Sequence, residues 1–324
     1  MATAAGGSFV PLLAAAGAAL WEVSTCGPAQ YVARRKIGNA ITQQRDNAIT
    51  QQPNAPPTLT FAGMAKVVAV ANQKGGVGKT TTTINLGASL AILERKVLIV
   101  DVDPQANATS GVGIPPEELE GSIYNVLVNG LDVNEVVYET ETPNLHIVPS
   151  SIQLVGAEVE LINRFRREDV LRNTVVEPLR KQYDYILIDC LPSLGLLTVN
   201  ALTAADSVIV PVQCEYFALE GLSKLQNTIQ LVQQQLNPKL QLEGILLSMY
   251  DQRLRLANMV VEQVRERYGD VAFETIIHRN ARISEAPNMH LPVVMINAGS
   301  RGARNFLALA EEFLTKNGES VPKS

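Results

Sequence analysis

Residues 66–81 read Lys-Val-Val-Ala-Val-Ala-Asn-Gln-Lys-Gly-Gly-Val-Gly-Lys-Thr-Thr, an apolar run followed by a glycine-rich loop that ends in Lys-Thr-Thr. The apolar run predicts a buried β-strand, and helix-spaced apolar residues over positions 81–93 predict a helix directly after the loop. Gly75, Gly76 and Gly78 would let backbone N–H groups approach a phosphate, and the start of the helix would add its positive end. The stretch therefore predicts a phosphate-binding loop between a strand and a helix.

The side chains of this loop indicate its ligand. Lys79 places a positive charge where the β- and γ-phosphates of a nucleoside triphosphate would lie, and the Thr80 hydroxyl is placed to ligate Mg²⁺. The loop departs from the pattern GxxxxGK followed by Ser or Thr, because Gln73 replaces the first glycine and Lys74 adds a second lysine. A flexible glycine-rich turn is the alternative, but strand, Lys-Thr ending and helix coincide here, so we expect ATP and Mg²⁺. The predicted ATP-binding residues of the loop are Lys74, Gly75, Gly76, Val77, Gly78, Lys79, Thr80 and Thr81.

Two further apolar runs end in carboxylates. Residues 97–100 are followed by Asp101 and Asp103, and residues 185–188 are followed by Asp189. Asp101 and Asp103 are two positions apart, so both side chains are expected on one face at the end of the strand. In an open α/β sheet, ligands bind at the carboxyl edge of the strands. These carboxylates are therefore candidates for a site beside the phosphate loop, although Asp-Pro at positions 103–104 is also typical of the start of a turn.

The order of apolar runs along the chain predicts the fold class. Hydrophobic residues make up 46% of the 324 residues and aromatic residues only 5%, and short β-branched runs alternate with helical patterns. Continuous apolar strands are buried on both faces, which is typical of a parallel sheet covered by helices. We therefore expect an α/β fold with a mostly parallel sheet flanked by helices. The predicted strands are residues 67–71, 97–100, 145–148, 185–188, 207–212, 244–249 and 274–277.

The two ends of the chain differ from this pattern. Residues 1–63 are rich in Ala, Gly, Gln and Asn, and they repeat the sequence Asn-Ala-Ile-Thr-Gln-Gln from residues 39 and 47 without helical or strand periodicity. We expect this segment to be disordered or a spurious upstream extension, because Met64 opens a sequence that runs directly into the first strand; a transit peptide is the alternative. We expect one P-loop domain over residues 64–315 and a flexible tail over residues 316–324.

Charge and cysteine content exclude several function classes. A formal net charge of −5 excludes a chain that coats nucleic acid by bulk charge, so any DNA binding must depend on a local basic patch. Three cysteines without CxxC spacing suggest neither a disulfide framework nor a zinc or iron–sulfur site. No apolar run reaches the roughly 18 residues that a membrane-spanning helix needs. We therefore expect a cytoplasmic protein without stable membrane association.

The sequence over residues 74–81 resembles the deviant Walker A motif of the ParA/MinD class of P-loop ATPases, and the resemblance extends over essentially all of residues 64–315. It implies an enzyme that hydrolyses ATP and forms an ATP-dependent homodimer, in which Lys74 reaches the phosphates of the partner subunit. A cation brought close to a transferring phosphate does the work of an arginine finger. The resemblance thus implies catalytic roles for Lys74, Lys79 and Asp103.

The acidic strand ends also correspond to positions of this family. Asp103 falls at its switch I aspartate, which orients the attacking water and the magnesium shell, with Asp101 in support. Asp189 falls at the Walker B aspartate, which holds Mg²⁺ through water. The implied metal-binding residues are Thr80, Asp103 and Asp189. After Asp189 the family usually reads Cys-Pro-Pro-Ser, whereas this chain has Leu191 in place of the first proline.

Two segments in the C-terminal half resemble the Soj-like chromosomal ParA branch. They are residues 248–253, Ser-Met-Tyr-Asp-Gln-Arg, and residues 277–287, Ile-His-Arg-Asn-Ala-Arg-Ile-Ser-Glu-Ala-Pro. The resemblance implies that Asn280 lies beside the adenine and that Arg253 and Arg282 form a DNA-binding patch across the dimer. Each arginine is also a candidate for an ordinary local salt bridge.

The resemblance implies a chromosome- or plasmid-partitioning ATPase at the nucleoid. ATP would close a dimer that binds DNA without sequence preference, and a ParB-type centromere-binding protein would stimulate hydrolysis. One departure is His278, where members of the branch usually have Pro. A MinD-like ATPase acting on a membrane is the alternative, but it needs a C-terminal basic amphipathic helix, whereas this chain ends in an acidic segment broken by Gly and Pro. A positioning ATPase with a protein cargo also remains open.

Overall fold

Seven strands within the described residues, 63–215 and 218–321, form one sheet in this computed structural model. The sheet order is β3-β4-β2-β5-β1-β6-β7, and all neighbours are parallel except β3 and β4. This arrangement confirms the α/β fold with a mostly parallel sheet. The strands are β1 (Lys66–Val70), β2 (Val97–Asp101), β3 (Tyr138–Glu139), β4 (Leu145–Val148), β5 (Tyr185–Asp189), β6 (Ser207–Gln213) and β7 (Gln241–Ser248).

Helices connect the parallel strands, and the longest of them follow β1, β6 and β7 or close the chain. Short 3-10 turns and a π-helical turn at Arg172–Val176 lie between them. The α-helices of the described residues are α1 (Lys79–Ile92), α2 (Asn107–Gly111), α3 (Ile123–Leu127), α4 (Leu154–Glu160), α5 (Glu177–Leu179), α6 (Leu196–Ala204), α7 (Ala218–Gln235), α8 (Arg255–Tyr268), α9 (Ala281–Met289), α10 (Val293–Ile296) and α11 (Arg301–Lys316).

The sheet is buried on both faces, as its continuous apolar strands predict. Along β1, Val67 and Ala69 pack into one core while Val68 packs into the other, and all three side chains are inaccessible to solvent. This alternation follows from the two-residue period of a strand. Because helices cover both faces, polar side chains that serve a ligand are confined to the edge where the strands end.

A strand expected over residues 274–277 does not form, so this prediction is wrong. Two isolated bridges, Ala272 with Ile245 and His278 with Tyr250, and a few backbone hydrogen bonds connect the region to β7 and the residues after it, without a continuous ladder. The backbone N–H groups of Glu274 and Thr275 donate instead to the two carboxylate oxygens of Glu312, at 2.7 and 2.9 Å. A side chain of the last helix thus takes the donors that a strand ladder would use.

The residues after α11 pack against the sheet, which corrects the expected flexible tail from residue 316. The Arg95 guanidinium lies 2.7 Å from the Glu319 carboxylate, and both side chains are 11% exposed. The Tyr185 hydroxyl of β5 also donates to Glu319, and Lys66 of β1 donates to Asn317. The folded domain therefore extends past residue 315, to at least residue 319.

One prediction from the sequence, and the last residues of another, fall on parts of the chain outside this description. The expected disorder or spurious origin of residues 1–63 concerns positions that, apart from residue 63, lie outside the described residues. Residues 322–324 lie outside them as well. Among the described residues, none of the helices combines the length and the apolar character that a membrane crossing requires.

Candidate nucleotide site and cationic cavity

The loop between β1 and α1 has the backbone shape of a phosphate cradle. Gly76 and Gly78 adopt left-handed conformations, with φ of +72° and +92°. Side chains would strain the backbone at these two positions, which explains the glycines. Gly78 is also the residue before the first turn of α1, so the free N–H groups of that helix end point into the loop.

Neighbouring strands hold the loop in place. The Lys74 N–H donates to the Asn72 side chain at 3.0 Å, and the same side chain donates to the carbonyl of Pro211 in β6 at 2.7 Å. The hydroxyl of Ser248, the last residue of β7, donates to the buried Val77 carbonyl at 2.8 Å. The loop is thus fixed before any ligand binds, as a site that recognises a phosphate by backbone geometry requires.

Lys79 lies inside this cradle. Its side chain is largely buried, and its ammonium group donates to the Lys74 carbonyl at 3.2 Å. Burial lowers the pKa of Lys79, while the negative charges of Asp189 and Asp103 oppose that shift. A buried ammonium group next to free backbone N–H groups is an arrangement suited to a polyphosphate.

The ends of β2 and β5 bring the predicted carboxylates together. Asp101 and Asp189 are register partners in the two adjacent strands. Asp101 accepts hydrogen bonds from the Thr109 N–H at 2.9 Å, the Thr109 hydroxyl at 2.7 Å and the Asp103 N–H at 3.1 Å. Asp101 therefore holds the segment that carries Asp103, whose own Oδ1 accepts from the Gln105 N–H at 2.9 Å.

Asp189 is the carboxylate that can accept a further hydrogen bond or bind a cation. Its Oδ1 accepts from the Thr83 hydroxyl at 3.0 Å, whereas its buried Oδ2 has no hydrogen-bond partner among the described residues. Burial raises the pKa of Asp189, the charge of Asp101 raises it further, and hydrogen bonding from Thr80 and Thr83 opposes the shift. An orphaned buried carboxylate oxygen next to a threonine hydroxyl is a site that a divalent cation or its water would satisfy.

The donor set fits Mg²⁺ rather than a cation that needs a full protein cage. Asp103 and Asp189 lie near the ammonium of Lys79, and Asp101 lies near Asp189, so the site offers several carboxylate oxygens to a cation. Over the described part of the chain, no three His, Cys, Asp or Glu side chains converge in a geometry that could hold a metal. Mg²⁺ typically uses one or two protein ligands together with water and substrate phosphates. Thr80 and Asp189 would hold it here.

The segment after Asp189 contains the departure at Leu191. Cys190 is fully buried, and burial raises the pKa of its thiol, so the thiol stays protonated and packs as a small apolar group. Leu191 packs against the core. The hydroxyl of Thr198, in α6, donates to the Ser193 carbonyl at 2.7 Å and holds the turn without the missing proline.

The Lys74 side chain pairs with a residue outside its own loop. Its ammonium lies 3.0 Å from the carboxylate of Glu215, just after β6, and the two side chains are 37% and 49% exposed. Gln213 donates to the same carboxylate at 2.5 Å. The contact of Lys74 with a partner's phosphates stays a prediction.

The predicted DNA-binding arginines are exposed and each has one local acidic neighbour. Arg253 lies 2.6 Å from Asp251 and is 83% exposed, and Arg282 lies 2.8 Å from Glu285 and is 55% exposed. Hydrogen bonds from Arg253 lower the pKa of Asp251 to about 2. Ion pairs at such exposure contribute roughly 0–1 kcal/mol, so a phosphate can replace the carboxylate at little cost.

Asn280 begins α9. Its side-chain oxygen accepts from the Arg282 N–H at 2.9 Å, as an N-cap residue does. The Arg279 N–H donates to the Tyr250 carbonyl at 2.9 Å, so this segment runs beside the end of β7, the strand that also holds Val77. The predicted contact of Asn280 with adenine stays a prediction.

A cavity of about 190 Å³ lies where these segments meet. It adds two arginines to the predicted set, Arg279 and Arg301, which the sequence analysis missed. Arg301 begins α11 and is brought to Arg253 only by the fold; Arg279 lies inside a motif already quoted and could have been noticed as a third cation. The lining residues are Tyr250, Asp251, Gln252, Arg253, His278, Arg279 and Arg301.

Comparison with known proteins shows the family of this chain. A family model described as an AAA domain matches residues 65–242. Soj, the sporulation initiation inhibitor protein of Bacillus subtilis, is 52% identical over 249 residues, which cover 77% of this chain and 98% of Soj. The chain belongs to the ParA/MinD family of P-loop ATPases.

Two further similarities agree with this membership. The chromosome partitioning protein ParA of Myxococcus xanthus is 50% identical over 263 residues, covering 81% of this chain and 93% of that protein. A crystal structure of cobyrinic acid a,c-diamide synthase from Mycobacterium smegmatis with bound ADP and magnesium superposes with a TM-score of 0.69 at 37% identity, covering 81% of this chain and 99% of that one. As a member of the ParA/MinD family, the chain is an ATPase that uses ATP and Mg²⁺.

Proposed function

We propose that this ParA/MinD-family ATPase partitions chromosomes or plasmids, through an ATP-bound homodimer that binds duplex DNA without sequence preference. Its relatives of 50–52% identity are named Soj and chromosome partitioning protein ParA. The observation that carries the proposal is the position of the exposed arginines. β7 holds the phosphate loop through Ser248, and directly beyond its end it carries Arg253 at the rim of the cationic cavity. Nucleotide and DNA would thus meet opposite ends of one short segment.

In hydrolysis, each residue of the nucleotide site has a separate role. The N–H groups of residues 75–80 bind the phosphates, Lys79 neutralises their charge, and Asn280 contacts the base. Asp103 orients the attacking water with the carboxylate oxygen that Gln105 leaves free, and Asp101 positions Asp103 through its backbone. Thr80 and Asp189 would hold Mg²⁺, and the bound cation would stabilise charge on the transferring phosphoryl group.

Two features of the carboxyl edge of the sheet support dimerisation. Lys74 is exposed beside the cradle and is held only by a surface ion pair, so it is available to a second subunit. In and around α4, which follows β4 at this edge, five apolar side chains form an exposed stripe, each between 53% and 90% exposed. Apolar clusters of this kind mark interaction surfaces. The stripe residues are Ile152, Val155, Val159, Ile162 and Phe165.

The stripe adjoins the nucleotide site through Glu158. This side chain accepts from the Leu197 N–H at the start of α6, at 3.4 Å, and a side chain at Gly195 would collide with it. The loop between Asp189 and α6 therefore lies against α4. A second subunit that covers the phosphates would also cover the stripe, and closure on ATP would remove both from water.

The cationic cavity and its surroundings supply the DNA contacts. Arg253 and Arg282 are bound weakly to their own carboxylates, and Arg279 and Arg301 line the same concave surface as Arg253. Phosphate contacts by such cations bind all sequences alike, and dimerisation doubles their number. A ParB-type protein completes the cycle by stimulating hydrolysis, which opens the dimer and releases the DNA.

The direct test is duplex DNA binding by the wild type in three nucleotide states. We expect binding with Mg²⁺ and a non-hydrolysable ATP analogue, and at least about tenfold weaker binding with ADP or without nucleotide, since only the dimer doubles the contacts. Absence of DNA binding in every nucleotide state would overturn the partitioning function and leave an ATPase with another cargo.

A further inference from the structure

The cationic cavity has more positive charge than its own carboxylate can balance. Its three arginines face a single carboxylate, Asp251, which leaves a formal charge of +2 in a chain whose total is −5. Asp251 is already hydrogen bonded to Arg253. Among the side chains that the structure describes, no carboxylate forms an ion pair with Arg279 or Arg301. Unbalanced arginines in a concave site are an anion-binding arrangement.

His278 lines this cavity, and one of its ring nitrogens already takes part in a hydrogen bond. Its backbone N–H and its ring Nδ1 lie 3.2 and 3.1 Å from the side-chain oxygen of Asn305, in α11. Because a carboxamide oxygen only accepts, this assignment puts the neutral ring's proton on Nδ1. Nε2, which has no partner among the described residues, is then the atom that gains or loses a proton.

The ring is fixed in that orientation from a second side. It packs edge-on against Tyr250, with ring centroids 5.2 Å apart and an interplanar angle of 70°. The Tyr250 hydroxyl is itself anchored, donating to Asn258 at 2.5 Å. A Pro at position 278, the usual residue of the family branch, would lack both the N–H that binds Asn305 and the titratable nitrogen. His278 is thus a feature of this chain that the family pattern does not provide.

We propose that the cavity seats a phosphate group and that protonated His278 is its fourth cation, so that phosphate binding and protonation of His278 favour each other. The proposal rests on the proposed function, because it takes the phosphodiester of duplex DNA as the physiological occupant. The groups that face His278 are Tyr250, Asp251 and Arg253 after β7, Arg279 on its own segment and Arg301 of α11. A bound phosphate would add negative charge beside the ring and so favour its protonated form.

DNA binding should therefore tighten as pH falls. We expect the affinity for duplex DNA to rise about threefold to tenfold between about pH 8.5 and pH 5.5, at fixed ionic strength and with a saturating ATP analogue. His278→Gln, which keeps a hydrogen-bond donor without the charge, should bind at all pH values as the wild type does at high pH. His146→Gln is the matched control, because His146 lies on β4, at the other end of the sheet from β7. The His146→Gln variant should show the same increase in DNA affinity at low pH as the wild type.

A second readout observes the ring itself, without DNA. The chain has three histidines, so single substitutions assign every ring resonance in a histidine-labelled sample. We expect inorganic phosphate to raise the titration midpoint of His278 and to leave the other two unchanged, and duplex DNA to do the same with the ATP analogue present. A shift with inorganic phosphate alone would make the occupant a free phosphate or nucleotide instead of DNA.

The two readouts separate the failure of each proposal. If the wild type binds no DNA but inorganic phosphate still shifts His278, the partitioning function is wrong and the phosphate seat remains. If DNA binds with the same pH dependence in the wild type and in His278→Gln, and phosphate leaves the His278 midpoint unchanged, the phosphate seat is wrong while the proposed function stands.

Discussion

The nucleotide loop and the cationic cavity both offer positive charge to phosphate, and they are built in opposite ways. The loop is backbone, with two left-handed glycines and a buried lysine over orphaned helix N–H groups. The cavity consists of side chains from three separate segments, and its Arg253 is 83% exposed. A reaction needs atoms held to fractions of an ångström, whereas binding DNA of any sequence needs only charge within reach. Substitutions in the loop should therefore cost far more than single substitutions in the cavity.

The largest expected effect concerns the carboxylate held beside the loop. Asp103→Ala should bind ATP and dimerise like the wild type, because Asp103 makes no phosphate contact in this account. Its hydrolysis rate should fall by about 10²–10⁴, the range for losing a group that positions the attacking water. Single-turnover hydrolysis and nucleotide binding measured on the same sample test this. An undiminished hydrolysis rate would show that Asp103 does not orient the attacking water.

Lys79→Ala tests the buried nucleotide loop directly. Loss of a charge-assisted contact with phosphate, together with three carboxylates left near the site, should weaken ATP binding by about 100-fold. A fluorescent ATP analogue measures the affinity. Lys96→Ala is the control, because Lys96 is an exposed lysine before β2, at the opposite edge of the sheet. Equal affinity in wild type and Lys79→Ala would contradict the assignment of the phosphate loop.

A third prediction concerns the exposed stripe on α4, which belongs to neither phosphate site. Val155→Asp with Val159→Asp would bury unpaired charge on closure and should weaken ATP-dependent dimerisation at least about tenfold. Sedimentation with a non-hydrolysable analogue measures dimerisation, while monomer ATP binding reports the intact fold. Leu231→Asp, on α7 and 56% exposed, is the matched control. If the wild type dimerises and the stripe variant does so equally, the second subunit does not cover the stripe.

The smallest effects per residue belong to the exposed arginines. Arg253→Ala with Arg282→Ala removes two contacts in each of two subunits, which should lower the slope of log K against log salt by about 3–4, at about 0.9 per contact. All DNA sequences should be affected alike, and ATP binding should survive. Arg166→Ala is the control, an arginine 65% exposed that pairs with Asp169 in the same local way. An unchanged salt slope in the double variant would show that these arginines do not contact DNA.

The same contrast explains what the sequence could and could not predict. The loop, Asp101 and Asp189 were found because a short motif sets their geometry, and strands ending in carboxylates meet at one edge by the rules of parallel sheets. Arg301 joined the cavity only through the fold, since no spacing relates it to Arg253.

The incorrect prediction of a strand over residues 274–277 has the same kind of cause as the failure to predict Arg301. Glu312 of α11 takes the backbone donors there, and no local pattern shows that contact. The corrected tail is a further case, because Glu319 is held by Arg95, which lies far away in the sequence. Features that depend on contacts between distant segments were therefore missed, whereas features fixed within one segment were predicted.

The central claim is that ATP in the buried loop controls DNA binding at the exposed arginines. The most direct measurement compares the affinity of Asp103→Ala and Lys79→Ala for duplex DNA, both with Mg²⁺ and saturating ATP. The account predicts that Asp103→Ala holds DNA as tightly as the wild type with a non-hydrolysable analogue. It predicts that Lys79→Ala, with every cavity arginine intact, binds no better than the wild type with ADP. If Lys79→Ala bound DNA as tightly as Asp103→Ala, the cavity would act independently of the nucleotide and the account would be contradicted.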